Sequence, residues 1–278
     1  RMIEVRYVDI AALPICGLSN QLYLLVGGII WCIQNNVPLL VVGRFLLEIN
    51  TQYYSSIGKI LYLSAINEHL RKKYGVSLVD ISRTKFSTQP DNLSLYKLNL
   101  PMETCSELLN TDMGKDILNH IFFTPELVSV PMKFLNTMLH GGGHNTINVI
   151  HLRLESDAIA HWGAVNNMSA KTFHDAVVDR YIDLIKTSMP KNQPILLLSG
   201  NIDNEVTAFM KENNYTYHVL TKQSKYREVN AIMDMILGKM CSGVFIGAAG
   251  STFSHLLALA HSADSRVSTH FVDMNNIQ

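Results

Sequence analysis

Three clusters in the second half of the chain combine residue types that bind or transfer anionic groups. His151, Arg153, Glu155 and Asp157, spaced through HLRLESD, set one guanidinium beside an imidazole and two carboxylates. An arginine fork matches two phosphate oxygens at once, and a carboxylate can take the proton of an attacking hydroxyl. Ser199 and Gly200, followed by Asn201 and Asp203, make a small turn with capping side chains. Gly247, Gly250, Ser251, Thr252, Phe253 and Ser254 close an apolar run and open a helix-like one, a turn that offers amide groups, hydroxyls and the positive end of a helix dipole to an anion. A fourth cluster, Gly17, Ser19, Asn20 and Gln21, precedes an apolar helix near the start. Each has a structural alternative: an Arg153–Glu155 or Arg153–Asp157 ion pair in the first, and plain helix capping in the others.

The elements that must position these residues follow from periodicity. Apolar, β-rich runs at 147–154, 194–198, 216–221, 243–246 and 267–273 alternate with helix-like stretches at 172–188, 203–214, 228–240 and 252–261. Such alternation requires a parallel sheet with helices on both faces, so the second half is expected to be a Rossmann-like domain with ligands at the carboxyl ends of its strands. Strand alternation through 147–154 would place His151, Arg153 and Glu155 on one side and Leu152 and Leu154 on the other. The first half predicts a strand at 3–10, a helix at 20–35, a strand at 38–42 and a helix at 55–74, then long loops over 85–111. The expected division is 1–140, a smaller α/β domain, and 141–278, the Rossmann-like domain, with the glycines of His140-Gly-Gly-Gly-His144 as hinge. Gly17, Ser19 and Asn20 would then form the opposing wall of a cleft between the domains.

Composition and missing motifs remove competing readings. Lys+Arg and Asp+Glu number 23 each, so no bulk positive field attracts nucleic acid, and any anion must be held by a few placed donors. No Gly-x-Ser-x-Gly elbow accompanies the HGGG string, which argues against a lipase-like hydrolase. Neither a Gly-x-x-x-x-Gly-Lys loop nor a Gly-x-Gly-x-x-Gly fingerprint occurs, which argues against NTPases, dehydrogenases and epimerases. Cys16, Cys32, Cys105 and Cys241 lack paired spacing and are expected as buried, reduced thiols without a structural metal. The apolar stretch 22–33 is broken by Gly27 and Gly28 and falls short of the roughly 20 residues of a membrane span. Arg1 before Met2 reads as a remnant ahead of an initiator, and Glu4 and Asp9 do not fit a secretory leader. The expectation is a cytoplasmic protein, with a lumenal fragment lacking its anchor, and usable sequons at Asn92, Asn167 and Asn214, as the alternative.

GLSNQ followed by a helix and PLLVV, then HLRLESD, then VFIGAAGSTFS, in that order, resemble the protein O-fucosyltransferases, plant-type and animal, within the wider fucosyltransferase group of glycosyltransferases. The resemblance implies two Rossmann-like domains facing a cleft, the GT-B type, and inverting transfer from a nucleotide-sugar donor to a glycan or glycoprotein acceptor. It implies that Arg153 contacts the donor diphosphate and is essential, that Ser251, Thr252 and Phe253 hold phosphate, and that Asn20 lines the donor site. The sequence departs from the group at Leu198-Ser199-Gly200-Asn201, where relatives often carry Thr-Asp, and after Ser254. GDP-fucose is the implied donor, with a UDP-sugar such as UDP-xylose left open. No Asp-x-Asp triplet occurs, so catalysis without metal or other cofactor is expected, with Arg153 and the Ser251–Thr252 amides neutralising the leaving group. Glu155 is the expected general base and Asp157 the second choice. A catalytically silent glycan- or nucleotide-binding protein with the same fold is the rival reading.

Overall fold

A computed structural model of the chain describes residues 3–11, 17–83, 93–140 and 145–277. The expected hinge at 141–144, residues 85–92 of the expected loop region, and Cys16 lie outside these residues. In chain order the first half contains β1 (Ile3–Val8), α1 (Leu18–Gln34), β2 (Leu39–Val42), β3 (Phe45–Glu48), β4 (Tyr53–Ser55), α2 (Leu63–Tyr74), β5 (Ser77–Asp80), β6 (Leu93–Lys97), α3 (Met102–Leu109), α4 (Asp112–Asn119) and α5 (Pro125–His140). The second half contains β7 (Asn148–His151), α6 (Ser156–Val165), α7 (Ala170–Ser188), β8 (Ile195–Leu198), α8 (Glu205–Glu212), β9 (Tyr217–His218), α9 (Arg227–Gly238), β10 (Val244–Ala249), α10 (Thr252–His261) and β11 (Ser268–Asp273). The chain divides into two compact units, Arg1–Ser129 with Gln223–Ile232, and Val130–Lys222 with Met233–Gln278.

In the first unit the sheet order is β5-β2-β1-β6, with every pair parallel. Helix α1 is buried along nearly its whole length because its body is apolar on all sides. A Cβ on Gly27 would lie 2.7 Å from Cys105 Sγ, so the glycine lets α3 approach α1 closely. Thus the apolar run 22–33 is a core helix, and no described helix is long and apolar enough to cross a membrane. Cys32, Cys105 and Cys241 are buried thiols outside any disulfide, and burial pushes the Cys105 and Cys241 thiols up to about 11.

The sequence expectation of one helix over 55–74 is corrected. Residues 57–59 form a 3-10 turn and the α-helix begins at Leu63. Asp80, 1% exposed, accepts hydrogen bonds from Gly58 N at 3.0 Å and Ser82 N at 2.9 Å, and this tether holds the turn against the end of β5. Before it, β3 and β4 form an antiparallel hairpin that the sequence reading did not identify. Gln21, fully buried, pairs with both backbone groups of Leu46, at 2.9 and 2.8 Å, and so ties the hairpin to α1. The expected loops over 85–111 instead contain β6 and all of α3 among the described residues.

The second unit has the sheet order β11-β10-β7-β8-β9, again all parallel. Numbered by sequence within the unit, this is 5-4-1-2-3, so strand order reverses between β7 and β10, where α/β folds bind ligands. Phe173, Val177, Tyr181 and Ile185 of α7 are fully buried against this sheet. The strand expected over 147–154 ends at His151, and a helix absent from the sequence reading, α6, begins at Ser156. Ala158, Ile159 and Trp162 are its buried contacts, too few apolar positions to stand out in a run that also holds Ser156, Asp157 and His161.

The segment Gln223–Ile232 lies among second-half elements in sequence but packs with the first unit. Glu228 Oε2 accepts from Leu18 N at 2.5 Å, Glu48 Oε2 accepts from Arg227 N at 3.0 Å, and the Tyr226 ring stacks on Tyr53 at 4.4 Å. Burial raises the Glu228 carboxyl above its ordinary value, opposed by the Leu18 N–H and by Arg227. A raised folded-state value means the proton is held more tightly in the fold, so stability falls as pH rises from the unfolded carboxylate value, about 4.3, through the folded one. Glu228→Gln keeps an acceptor for Leu18 without the charge. Its Tm relative to the parent should therefore be more favourable at pH 8 than at pH 4, as measured by thermal unfolding across that range; a difference that does not change with pH contradicts the assignment.

Candidate functional site

The site in the second unit starts from how β7 ends. Tyr181, fully buried on α7, donates its hydroxyl to His151 O at 2.9 Å and accepts from Arg153 N at 3.3 Å. Leu152 N donates to Leu198 O at 3.0 Å, and Leu152 and Leu154 are buried while Arg153 and Glu155 are only partly so. The polar row expected on one face of a continuous strand is therefore corrected. Arg153 and Glu155 belong to the connection between β7 and α6, and Tyr181 pins its backbone.

Arg153 Nη1 lies 2.8 Å from Glu155 Oε2, and its Nη2 is 3.4 Å from Asp157 Oδ2. The first is a close ion contact whose N–H does not point at the oxygen, since Glu155 Oε2 has no aligned hydrogen-bond donor. Glu155 also accepts from Gly200 N at 3.3 Å through Oε1, and a Cβ on Gly200 would come within 3.0 Å of that oxygen. Glu155 thus joins the loops that follow β7 and β8. Asp157, in the first turn of α6, is 66% exposed, against 27% for Glu155. Ser199 Oγ accepts from Asn201 N and donates to Asn201 O, closing the turn on itself. The cap of α8 is Asn204, in a reciprocal capping box with Thr207, and not Asn201 or Asp203 as the sequence suggested.

On the other side of the strand-order reversal, β10 leads through Gly250 into α10. Gly250 has φ +91°, and its Cα faces Trp162 and Asn275 closely, so the turn needs a residue without a side chain. Ser251 is the N-cap residue of α10 and is 7% exposed, yet its side chain makes no capping hydrogen bond. Helix α6 likewise lacks a side-chain cap, whereas α7 and α8 are capped by Ser169 and Asn204. The two second-unit helices that start beside the strand-order reversal are thus the ones whose amide ends are left for another acceptor. Ser254 Oγ accepts from Ala248 N at 2.9 Å and bonds to His151 Nδ1 at 2.7 Å, and the His151 ring rests on Phe253 at 4.7 Å. Burial, with the nearby Arg153 charge, lowers His151 to about 3 and keeps it neutral. His151 therefore couples the end of β7 to the start of α10. Gly247 allows this packing, because a Cβ there would lie 2.9 Å from Ser254 Oγ.

Gly17, Ser19 and Asn20 begin α1 in the first unit, with Gly17 as the N-cap residue and Ser19 buried. There the Leu18 amide already has the Glu228 carboxylate as acceptor. Sequence reasoning missed Tyr181, Glu228 and Asp234. Burial pushes the Asp234 carboxyl up to about 7, where a group can exchange protons at neutral pH. Asp234 sits on α9, one turn before Gly238, where a Cβ would meet the side chains of Leu198, at the end of β8, and Leu257, in the middle of α10. The available signal was an aspartate set between Met233 and Met235 in an otherwise apolar stretch, 231–237.

No protein-family model and no curated protein matches the sequence. Solved structures match over almost the whole length. POFUT1 in complex with GDP superposes with a TM-score of 0.63 at 10% identity, covering 98% of this chain and 98% of that chain. NodZ α-1,6-fucosyltransferase soaked with GDP-fucose gives 0.58 at 14% identity over 94% and 93% of the two chains. Fucosyltransferase NodZ from Bradyrhizobium gives 0.56 at 15% identity over 92% and 93%. With its two parallel-sheet α/β units, the chain therefore has the GT-B-type fold of these fucosyltransferases.

Proposed function

We propose that the protein is a metal-independent, inverting glycosyltransferase that moves a sugar from a nucleoside-diphosphate donor, GDP-fucose first, to a hydroxyl of a glycan or glycoprotein. The observation that carries this reading is Arg153, held at the carboxyl end of the first strand of the second unit, where strand order reverses and an uncapped helix begins. The fold likeness to POFUT1 with GDP and NodZ soaked with GDP-fucose supports the donor class.

The resting ion pairs do not prevent Arg153 from acting on a ligand. Its contact with exposed Asp157, at 3.4 Å, is worth about 0–1 kcal/mol, the range for surface pairs. A charge-assisted hydrogen bond to phosphate contributes about 1.5–3 kcal/mol, and a bidentate one more. The diphosphate therefore outcompetes Asp157, while the 2.8 Å Glu155 contact can remain on the other nitrogen and aim the fork. The free amide groups of Thr252 and Phe253 in the first turn of α10, together with the Ser251 and Thr252 hydroxyls, supply the remaining donors for the phosphate oxygens.

In the transfer, the acceptor oxygen bonds to the anomeric carbon from the face opposite the phosphate. The carbon–phosphate-oxygen bond breaks, its electron pair leaves with the diphosphate, and the acceptor proton passes to a carboxylate. Arg153 and the α10 amides meet the charge that grows on the leaving group, the role a divalent ion fills where an Asp-x-Asp triplet is present. Glu155, with one oxygen on Gly200 N and the other beside Arg153, acts as a positioning residue. Asp157, released when Arg153 turns to phosphate, is the more accessible proton acceptor. This reverses the order of the two carboxylates expected from sequence.

GDP should raise the Tm of the parent protein, and Arg153→Ala should abolish that rise. Arg153→Ala should also lower turnover of GDP-fucose by at least about 100-fold, near the 3 kcal/mol of one lost preorganised donor, with little change in stability. UDP and UDP-xylose, run in parallel, identify the base. Donor binding with no transfer or hydrolysis would favour the silent binding protein, and a fully active Arg153→Ala protein would remove the mechanism. The carboxylates separate by kinetics: Asp157→Asn should lower kcat by about 100-fold or more with KM for donor nearly unchanged, as for loss of a general base. Glu155→Gln should raise KM for donor more than it lowers kcat. The opposite pattern returns the base role to Glu155.

A further inference from the structure

The sheet of the first unit also has a strand-order reversal. Numbered by sequence within that sheet, β5-β2-β1-β6 is 3-2-1-4, so order reverses at β1, and a ligand crevice is expected outside the carboxyl end of that strand. Asp9 follows β1 directly, and Gly43 and Arg44 follow β2, its parallel neighbour. None of these residues takes part in the proposed grip on the donor diphosphate. We propose that Tyr7, Asp9 and Arg44 form the acceptor subsite of the proposed transfer, and that they take a neutral glycan, held through adjacent hydroxyls of one sugar ring.

The side chains gather at one place without closing on one another. The Tyr7 hydroxyl pairs with the Asp9 carboxylate; burial, and then that carboxylate, raise Tyr7 above its ordinary value, while the Arg44 charge opposes them. A Cβ on Gly43 would lie 3.0 Å from Asp9 Oδ1 and 3.1 Å from the Tyr7 hydroxyl oxygen, so both polar groups stand beside backbone that carries no side chain. Tyr7 and Asp9 are half-buried, whereas Arg44 is exposed and lies over the Tyr54 ring, 4.6 Å from its centroid. Stacking uses the flat face of the guanidinium and leaves the N–H groups of its edge for other acceptors. Among the described residues those groups have no hydrogen-bond or ion-pair partner, Asp9 included.

The chemistry of this arrangement selects the ligand. A carboxylate has about four acceptor positions. Here the Tyr7 hydroxyl and the 3.4 Å contact from Ala11 N use only part of them. The remainder can accept from ligand hydroxyls, while the Arg44 edge donates to hydroxyl or ring oxygens. Each sugar hydroxyl is donor and acceptor at once, so two neighbouring ones answer a carboxylate and a guanidinium together without adding charge. The two charges of the site are of opposite sign, which disfavours an acidic or a basic ligand. The role as acceptor subsite rests on the proposed transfer; the binding of a sugar rests on these residues alone.

Two readouts keep the site and its role apart. The first is saturation-transfer NMR of the full chain, without donor, against trisaccharides of glucose, galactose, mannose, xylose and N-acetylglucosamine. At least one should bind, and Asp9→Asn and Arg44→Ala should each weaken it by about tenfold or more, the loss of one charge-assisted hydrogen bond. Asp9→Asn keeps the shape of the side chain and Arg44 is exposed, so both variants should show the circular dichroism of the parent. The second readout uses donor: the GDP-induced rise in Tm should be the same in both variants as in the parent, and KM for the bound glycan should rise about tenfold with KM for donor unchanged. Glycan binding without any effect of GDP would overturn the acceptor role and uphold the sugar site. Binding of none of these trisaccharides, binding unaltered in both variants, or transfer to a protein hydroxyl with its KM unaltered in both would overturn the proposal.

Discussion

The proposed function depends on the Arg153 ion pairs at the end of the second unit's first strand. A guanidinium at the end of a core strand must be paired, because a half-buried charge without a partner is costly. Here the partners are unequal. Glu155 is half-buried and shared with Gly200, while Asp157 is exposed and distant enough to be exchanged. An arginine held on one side and loosely tethered on the other is oriented before a ligand arrives and still free to grip it. That asymmetry lets one residue serve as an internal ion pair and, in the function proposed, as the grip on an anion.

The rest of the second unit maintains this geometry. Tyr181 satisfies the backbone on both sides of Leu152 with one hydroxyl, so the chain leaves β7 at a fixed angle. His151, kept neutral by burial, joins that exit to Ser254 and through it to the amide of Ala248. Gly247 and Gly250 allow the close approach and the left-handed turn that this requires. The strands set the distance between the two loops, and the buried hydroxyls and the imidazole set their direction.

Much of this was legible in the sequence where cause and effect lie close together along the chain. The parallel sheet of the second half follows from its continuous apolar runs, all of which contain strands. HLRLESD announced the ion pairs, since Arg153, Glu155 and Asp157 lie within five residues. What the sequence hid depends on distant partners. Glu228 caps α1 through Leu18, 210 residues away, and Tyr181 meets Arg153 across 28. The hairpin of β3 and β4 rests on the Gln21 amide, which sequence alone reads as a polar residue at a helix start. Helix α6 escaped notice because its few buried residues are interrupted by Ser156, Asp157 and His161. The 3-10 turn at 57–59 was concealed because Asp80, its tether, sits at the end of a later strand.

The central claim is that Arg153 exchanges a carboxylate for a diphosphate. A crystal structure of the full chain with GDP tests it most directly. The account predicts the guanidinium within hydrogen-bond distance of phosphate oxygens, Asp157 released, and the Glu155 contact kept. A structure with GDP bound and Arg153 still paired to both carboxylates, away from the phosphates, would contradict it.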